Sequence, residues 1–367
     1  MLMIKEPVSV SAEPILPEGI SPEQCLYFDI ETTGLSPDTS SLYLISSLRQ
    51  QGGVWTLSQW FADDYDSEPL LLAAFGEELA GIRCAVQYNG DMFDVPYLEA
   101  KWRAHAQPYT LEGILHWDIY RKLRPCGFLL DAPNLKLKTM EALMGIHRED
   151  PYDGGELITV YGTFLRAHYC RKPADEFLAP LLLHNREDVL SLPKLTELLA
   201  YPQLLEGHAA VTGCRASDGE LCLTLRPTHS LPRPIHFRAE HFTCDGSDDL
   251  LVFRVPLREG ELKYFFPDYK DYYYLTAEDM AVHKSVGEFV DSAYRRKATA
   301  ATCYQRRAGL FLPADAGCAS GTRPLFREEY KSKANYLLWE EALADDPEFL
   351  KAYSLWLLSG LTKKNRL

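Results

Sequence analysis

The stretch Tyr27-Phe28-Asp29-Ile30-Glu31-Thr32-Thr33-Gly34-Leu35 constrains this chain more than any other. Two acids stand one residue apart inside an apolar run. In a β-strand, positions i and i+2 share a face. Asp29 and Glu31 therefore project together, while Phe28 and Ile30 turn the opposite way, toward a core. Two carboxylates on a half-buried face repel each other and lose solvation. A hard divalent cation such as Mg²⁺ or Mn²⁺ relieves both effects. An exposed strand with two solvated acids has the same spacing, but the apolar flanks and the immediate Thr-Thr-Gly turn weigh against it.

With 367 residues, 46% hydrophobic and 25% charged, the chain suits two globular domains. Its nine cysteines show no C-x-x-C pair and no zinc spacing, so they read as thiols in a reducing compartment and a cytoplasmic location is expected. Residues 1–24 carry acids and prolines without the apolar core of a signal peptide and read as an irregular lead-in. No apolar run is long enough to span a bilayer, and no membrane partner is expected. The net charge of −14 argues against a protein that coats nucleic acid through a broad basic surface. It leaves room for an enzyme that grips one strand end, where bound cations reverse the local sign.

The pattern predicts strands over residues 25–30, 41–48 and 54–61, the last two joined at Gln51-Gly52-Gly53 as a hairpin. Asp63 to Asp66 reads as a solvated acidic loop, and Ser67 as the cap of a helix running to about Gly81. A strand over 83–88, a helix over 94–106 and a strand over 114–117 follow. This order implies a mixed sheet covered by helices.

Two further blocks carry chemistry. In Tyr88-Asn89-Gly90-Asp91-Met92-Phe93-Asp94 a strand ends, a polar loop follows and Asp94 opens a helix. Sites collect at such strand ends, although Asp94 alone would serve as a helix cap and Asn89 as a turn residue. In residues 181–190, His184 and Asp188 are four apart and share one face of a helix over 174–200, with interruptions expected at Pro180 and Pro193. A surface His–Asp pair is the plain alternative; a histidine with general-base potential is the functional one.

Asp29-x-Glu31, Asn89-x-x-x-Phe93-Asp94 and His184-x-x-x-Asp188, in that order, resemble the DEDD superfamily of 3′–5′ exonucleases on the ribonuclease-H-like fold, and in particular the bacterial YprB-like ribonuclease-H-like domains. The resemblance covers residues 25–201. It implies that Asp29, Glu31, Asp94 and Asp188 hold two divalent ions, Mg²⁺ or Mn²⁺. It implies that His184 activates the attacking water, and that Thr32, Gly34, Leu35, Asn89 and Phe93 meet the substrate. One branch of the superfamily has His five residues before the last Asp and the other has Tyr four before it; this chain carries the His of one at the spacing of the other. The implied reaction is two-metal hydrolysis of a phosphodiester at the 3′ end of DNA or RNA, the strand probed being single. Asp118 reads as a cap, the basic helix start over 134–141 as a solvated face or a phosphate contact, and residues 150–155 as a loop bordering the site.

The second half reads as a β-rich accessory domain over 204–367, after a ribonuclease-H-like domain over 25–203. Strands are predicted over 220–226, 234–243, 250–257 and 261–266, with turns at residues 245–249 and 258–260. A helix is predicted from Thr276 to Val290, and a helical hairpin over 331–358. The aromatic run over 263–274 fits a small sheet core or a base-stacking surface. Arg295-Arg296-Lys297 and Arg306-Arg307 are candidate phosphate contacts, and Lys363 to Arg366 forms a basic tail. The fold class is thus α/β, a mixed sheet flanked by helices, then a β-rich domain with terminal helices. The competing function is a non-cutting nucleic-acid-binding or scaffolding protein whose C-terminal half is a protein-interaction module.

Overall fold

The computed structural model describes residues 1–318, 323–362 and 364; of the basic tail, Lys363, Asn365 and Arg366 lie outside the described residues. The chain divides into two compact units, Met1–Pro202 and Gln203–Leu367.

The first unit is built on a six-stranded sheet of order β1-β4-β3-β2-β5-β6. Its strands are β1 (Leu2–Val8), β2 (Cys25–Thr32), β3 (Leu42–Gln51), β4 (Val54–Phe61), β5 (Cys84–Gln87) and β6 (Leu115–Asp118). β1 to β4 pair antiparallel, and β5 and β6 add in parallel beside β2. Helices α1 (Glu68–Glu78), α2 (Asp94–Ala104), α3 (Ile119–Leu123), α4 (Leu137–Leu143), α5 (Gly154–Tyr169) and α6 (Asp175–Leu195) complete the unit, and α7 (Ala200–Leu205) starts at its last residues. The period-two pattern of β2 does what its sequence requires. Phe28 and Ile30 enter a core that includes Phe75 and Trp102, whereas Asp29 and Glu31 lie on the opposite face, where α6 packs on β2 and β3.

Three elements differ from expectation. Residues 1–24 are not all irregular: β1 pairs with β4 from Leu2↔Phe61 to Val8↔Trp55. It is an edge strand, the position where Pro7 removes no ladder donor that a neighbour needs. α6 runs unbroken through Pro180 and Pro193. An interior proline costs about 3 kcal/mol, and burial of Leu181, Val189, Leu192 and Leu195 offsets it. Ser67 precedes α1 without capping it, because its hydroxyl donates to Asp63 and Asp64.

The second unit is β-rich. β7 (Ala209–Ser217), β8 (Glu220–Pro227), β9 (Leu231–Arg238), β10 (Thr243–Asp248) and β11 (Leu250–Pro256) form an antiparallel sheet of order β7-β8-β11-β10-β9. β12 (Arg258–Phe265) opens a second assembly, and β13 (Tyr272–Leu275) and β14 (Met280–His283) a third. The short α8 (Lys284–Gly287), β15 (Arg295–Lys297), β16 (Tyr304–Ala314), β17 (Phe326–Arg327), β18 (Asn335–Leu338) and α9 (Pro347–Gly360) follow. β12, β16, β18 and β17 close a small barrel, and β13 joins β14 to β15.

Here the turn signals misled. Asp245 to Ser247 lie in β10, with the turn at Asp248, whose φ is 48°. Gly246 is a packing glycine: a β-carbon there would lie 2.8 Å from Leu251 Cδ1 and 2.9 Å from Ile235 Cγ1. Residues 258–260 open β12 rather than forming a turn. The helix expected from Thr276 is a hairpin turn into β14, closed by Asp279 at φ 49° and by hydroxyl donation from Tyr274 and Tyr304 to its carboxylate. The hairpin expected over 331–358 resolves into β18 and the single long helix α9. In the aromatic run, Phe266 stacks on Tyr272 at 4.7 Å and both pack against Ala281, Ala298 and Cys303, as in a sheet core. Among the described residues no helix is long and apolar enough to cross a membrane.

Candidate metal centre

β2 delivers Asp29 and Glu31 from the middle of the sheet. A register shift between Glu31 and Thr32 ends its regular pairing with β3. The turn beyond is tied internally: Thr32 and Ser40 hydroxyls both donate to Gly34 O at 2.9 Å, and Ser41 N donates to Thr33 Oγ1 at 2.9 Å. Leu35 stands out from that turn, 86% exposed.

Asp94 arrives from the loop after β5. Asn89 adopts φ 65° and Gly90 follows it. A β-carbon on Gly90 would sit 2.4 Å from Gln87 Cγ, so the close turn requires glycine. Asp118 holds this loop by accepting from Asn89 N at 2.9 Å and Asp91 N at 3.2 Å, and it caps α3 through Arg121 N at 3.0 Å. It is a cap, as its sequence context predicted. Asp94 is 7% exposed and accepts from Ile30 N at 3.2 Å, which couples the second motif to the first. Phe93 is partly buried and packs on Tyr97.

α6 supplies the third side. His184 and Asp188 lie one turn apart, 5% and 7% exposed. Among the described residues, Glu31, His184 and Asp188 form the group whose ligand atoms lie within 4.8 Å of one another. His184 Nε2 is 3.5 Å from both Glu31 Oε1 and Asp188 Oδ2. Asp29 joins through α6 as well: Asn185 Nδ2 donates to Asp29 Oδ2 at 2.7 Å. Asn185 in turn accepts from Ser46, whose hydroxyl accepts from Gln59 Nε2 at 2.9 Å. A row of buried polar groups thus runs from β4 through β3 and α6 to β2.

The electrostatics are those of acids crowded together. Burial, then the charges of Asp188, Asp94 and Glu31, hold the Asp29 carboxyl well above the usual range against the Asn185 bond. Burial, then the charges of Asp188 and Asp94, push Glu31 up to about 8. Burial pushes Asp94 up to about 7, although its own backbone N–H and that of Ile30 oppose it. Each shift reflects loss of solvation first and neighbouring negative charge second, and a bound cation would oppose both.

Several residues of this site carried no motif signal. Arg148 donates to Asp188 Oδ1, to Glu141 Oε2 at 3.1 Å and to His184 O at 3.1 Å. Asp150 Oδ2 lies 2.6 Å from His184 Nδ1. Against burial, the Tyr152 N–H, His184 and Lys138 hold the Asp150 carboxyl below its usual range. Lys138, a candidate phosphate contact, is thereby engaged with Asp150 at 3.2 Å and with Tyr152 O. Tyr43 donates to Glu31 Oε2 at 3.4 Å and stacks on Tyr161 of α5.

The three motif blocks therefore converge on one face of a mixed sheet. The first unit has a ribonuclease-H-like fold. Residues 26–200 match the RNase_H superfamily. The RNase H-like unit also resembles the uncharacterised protein YprB of Bacillus subtilis (strain 168), 27% identical over 195 residues that cover 52% of this chain and 46% of YprB. The chain therefore spans under half the length of that relative. Among solved structures, E. coli exonuclease I in complex with a dT13 oligonucleotide is 16% identical, with 44% of this chain and 43% of that one covered and a TM-score of 0.27. The family B DNA polymerase of the hyperthermophilic archaeon Pyrobaculum calidifontis is 11% identical, with 97% and 50% covered and a TM-score of 0.43.

Proposed function

We propose that the RNase H-like unit is a metal-dependent 3′–5′ exonuclease acting on a single-stranded end of DNA or RNA. One observation carries the reading: Asp29, Glu31, Asp94, Asp188 and His184 come from three distant segments, Glu31, His184 and Asp188 bring ligand atoms within 4.8 Å of one another, and burial together with neighbouring charges raises the carboxyls of Asp29, Glu31 and Asp94.

The donor set fits divalent cations. Hard carboxylate oxygens suit Mg²⁺ and Mn²⁺, and Arg148 matches only part of the charge, on Asp188 and Glu141. Asp29, Glu31, Asp94 and Asp188 would hold two such ions, which supply Lewis acidity toward a phosphodiester. His184 presents Nε2 toward Glu31 and Asp188, where it would accept a proton from the attacking water. Leu35 and Asn89 are exposed and Phe93 is partly buried, and by their place in the motifs they would meet the terminal nucleotide. Thr32 and Gly34 would shape that contact, since the Thr32 hydroxyl is committed to Gly34 O. The β-rich unit would select substrate or engage a protein partner, and a cytoplasmic setting suits this role.

The test is end-labelled DNA and RNA oligonucleotides incubated with Mg²⁺, Mn²⁺ or EDTA, with Asp29→Ala and Asp188→Ala as controls. Shortening from the 3′ end that needs metal and both acids supports the proposal. Undiminished cleavage by a folded Asp29→Ala chain would sink it, and internal cuts would make the enzyme an endonuclease.

A further inference from the structure

We propose that Asp150 is a positioning residue that takes the Nδ1 hydrogen of His184 and so aims the Nε2 lone pair between Glu31 and Asp188. This rests on the reading of His184 as the proton acceptor. The contact is 2.6 Å long and both groups are buried, at 6% exposure for Asp150 and 5% for His184. A carboxylate can only accept, so the hydrogen of this bond belongs to Nδ1. In the neutral ring the other nitrogen then carries the lone pair. That nitrogen is the one 3.5 Å from Glu31 Oε1 and from Asp188 Oδ2.

Asp150 is itself fixed. Oδ1 accepts from Tyr152 N at 3.1 Å, and Oδ2 from Lys138 Nζ at 3.2 Å. Arg148 lies 3.5 Å from the same Oδ2. Residues 148–150 form a strap latched to α6 at His184, Glu187 and Asp188. Arg148 donates to His184 O and Asp188, and Glu187 accepts from Glu149 N at 2.9 Å and Asp150 N at 3.2 Å. The helix sets where the imidazole begins, and the strap sets which of its two edges faces the acids. If Asp150 only fastened the loop to α6, the other latches would do so without touching a ring nitrogen.

Full-length chain labelled with ¹⁵N-histidine and kept metal-free gives the tautomer directly, the His184 signals being identified by their loss in His184→Gln. The expected wild-type ring is protonated at Nδ1. Asp150→Ala leaves Nδ1 without this acceptor and should let the hydrogen move to Nε2. It should lower kcat by ~10²–10⁴-fold with KM and calorimetric Mn²⁺ affinity unchanged, and Asp150→Glu should recover part of the rate. A folded Asp150→Ala chain that keeps Nδ1–H, or keeps wild-type kcat, overturns the proposal. If the wild type cuts neither DNA nor RNA, the nuclease reading falls, and the tautomer measurement alone decides whether Asp150 sets the ring.

Discussion

Arg148 holds one oxygen of Asp188, and the other oxygen of the same carboxylate lies 3.5 Å from His184 Nε2. A single side chain thus faces a permanent cation on one side and the candidate metal centre on the other. The Arg148 side chain is 8% exposed and also meets Glu141, whose side chain is 1% exposed.

Arg148→Ala should therefore destabilise the chain by about 3–5 kcal/mol, the range for breaking a buried ion pair and leaving its partner charged. Urea denaturation in EDTA measures this. A loss below about 1 kcal/mol would mean that the two acids find compensation elsewhere.

The crowded carboxyls make the metal-free protein sensitive to alkali. Folding raises Glu31 from 4.5 to about 8 and Asp94 from 3.8 to about 7. A carboxyl raised by folding contributes stability that is complete below its unfolded value and is lost as pH climbs through its folded value. The melting temperature in EDTA should fall between about pH 5 and pH 8, and Mn²⁺ should remove the fall by favouring the charged forms. A metal-free melting temperature that rises over this interval would contradict the arrangement.

Asp29→Asn should separate charge from shape. The amide oxygen can still accept from Asn185, while one of the mutually repelling charges disappears. The metal-free melting temperature at pH 8 should equal or exceed that of the wild type, and the stabilisation by Mn²⁺ should shrink. Differential scanning calorimetry with and without metal reads both. An unchanged metal response would remove Asp29 from the ligand set.

In the second unit, Gly246→Ala should cost about 1–3 kcal/mol by overpacking against Leu251 and Ile235. Thermal denaturation checks it. A neutral result would show that the sheet yields at this point.

The acid pair of β2 was legible because alternation along a strand decides which side chains share a face. His184 and Asp188 were legible because four residues make one helical turn. The loop over 150–155 was expected to border the site, but the partners of Arg148 and Asp150 were not legible, since they act across 40 and 34 residues of chain from a stretch without periodicity. α5 was missed for a local reason. Gly154 and Gly155 at its start read as loop, although Asp153 and Glu156 form a capping box and Leu157, Tyr161, Phe164 and Leu165 follow at helical spacing. In the β-rich unit, glycine and aspartate served packing and hydroxyl binding as well as turns, so Gly246 and Asp279 pointed to the wrong boundaries.

The polar row from Gln59 to Asp29 also acts as an alignment key. Asn185 is 0% exposed and sits one residue after His184 and three before Asp188. Sliding α6 by one turn along the sheet would strand its amide in an apolar interior, away from both Ser46 and Asp29. A helix fastened by leucines alone would tolerate such a slip. In this chain the amide of Asn185 fixes the one register of α6 that presents His184 and Asp188 to the acids of β2.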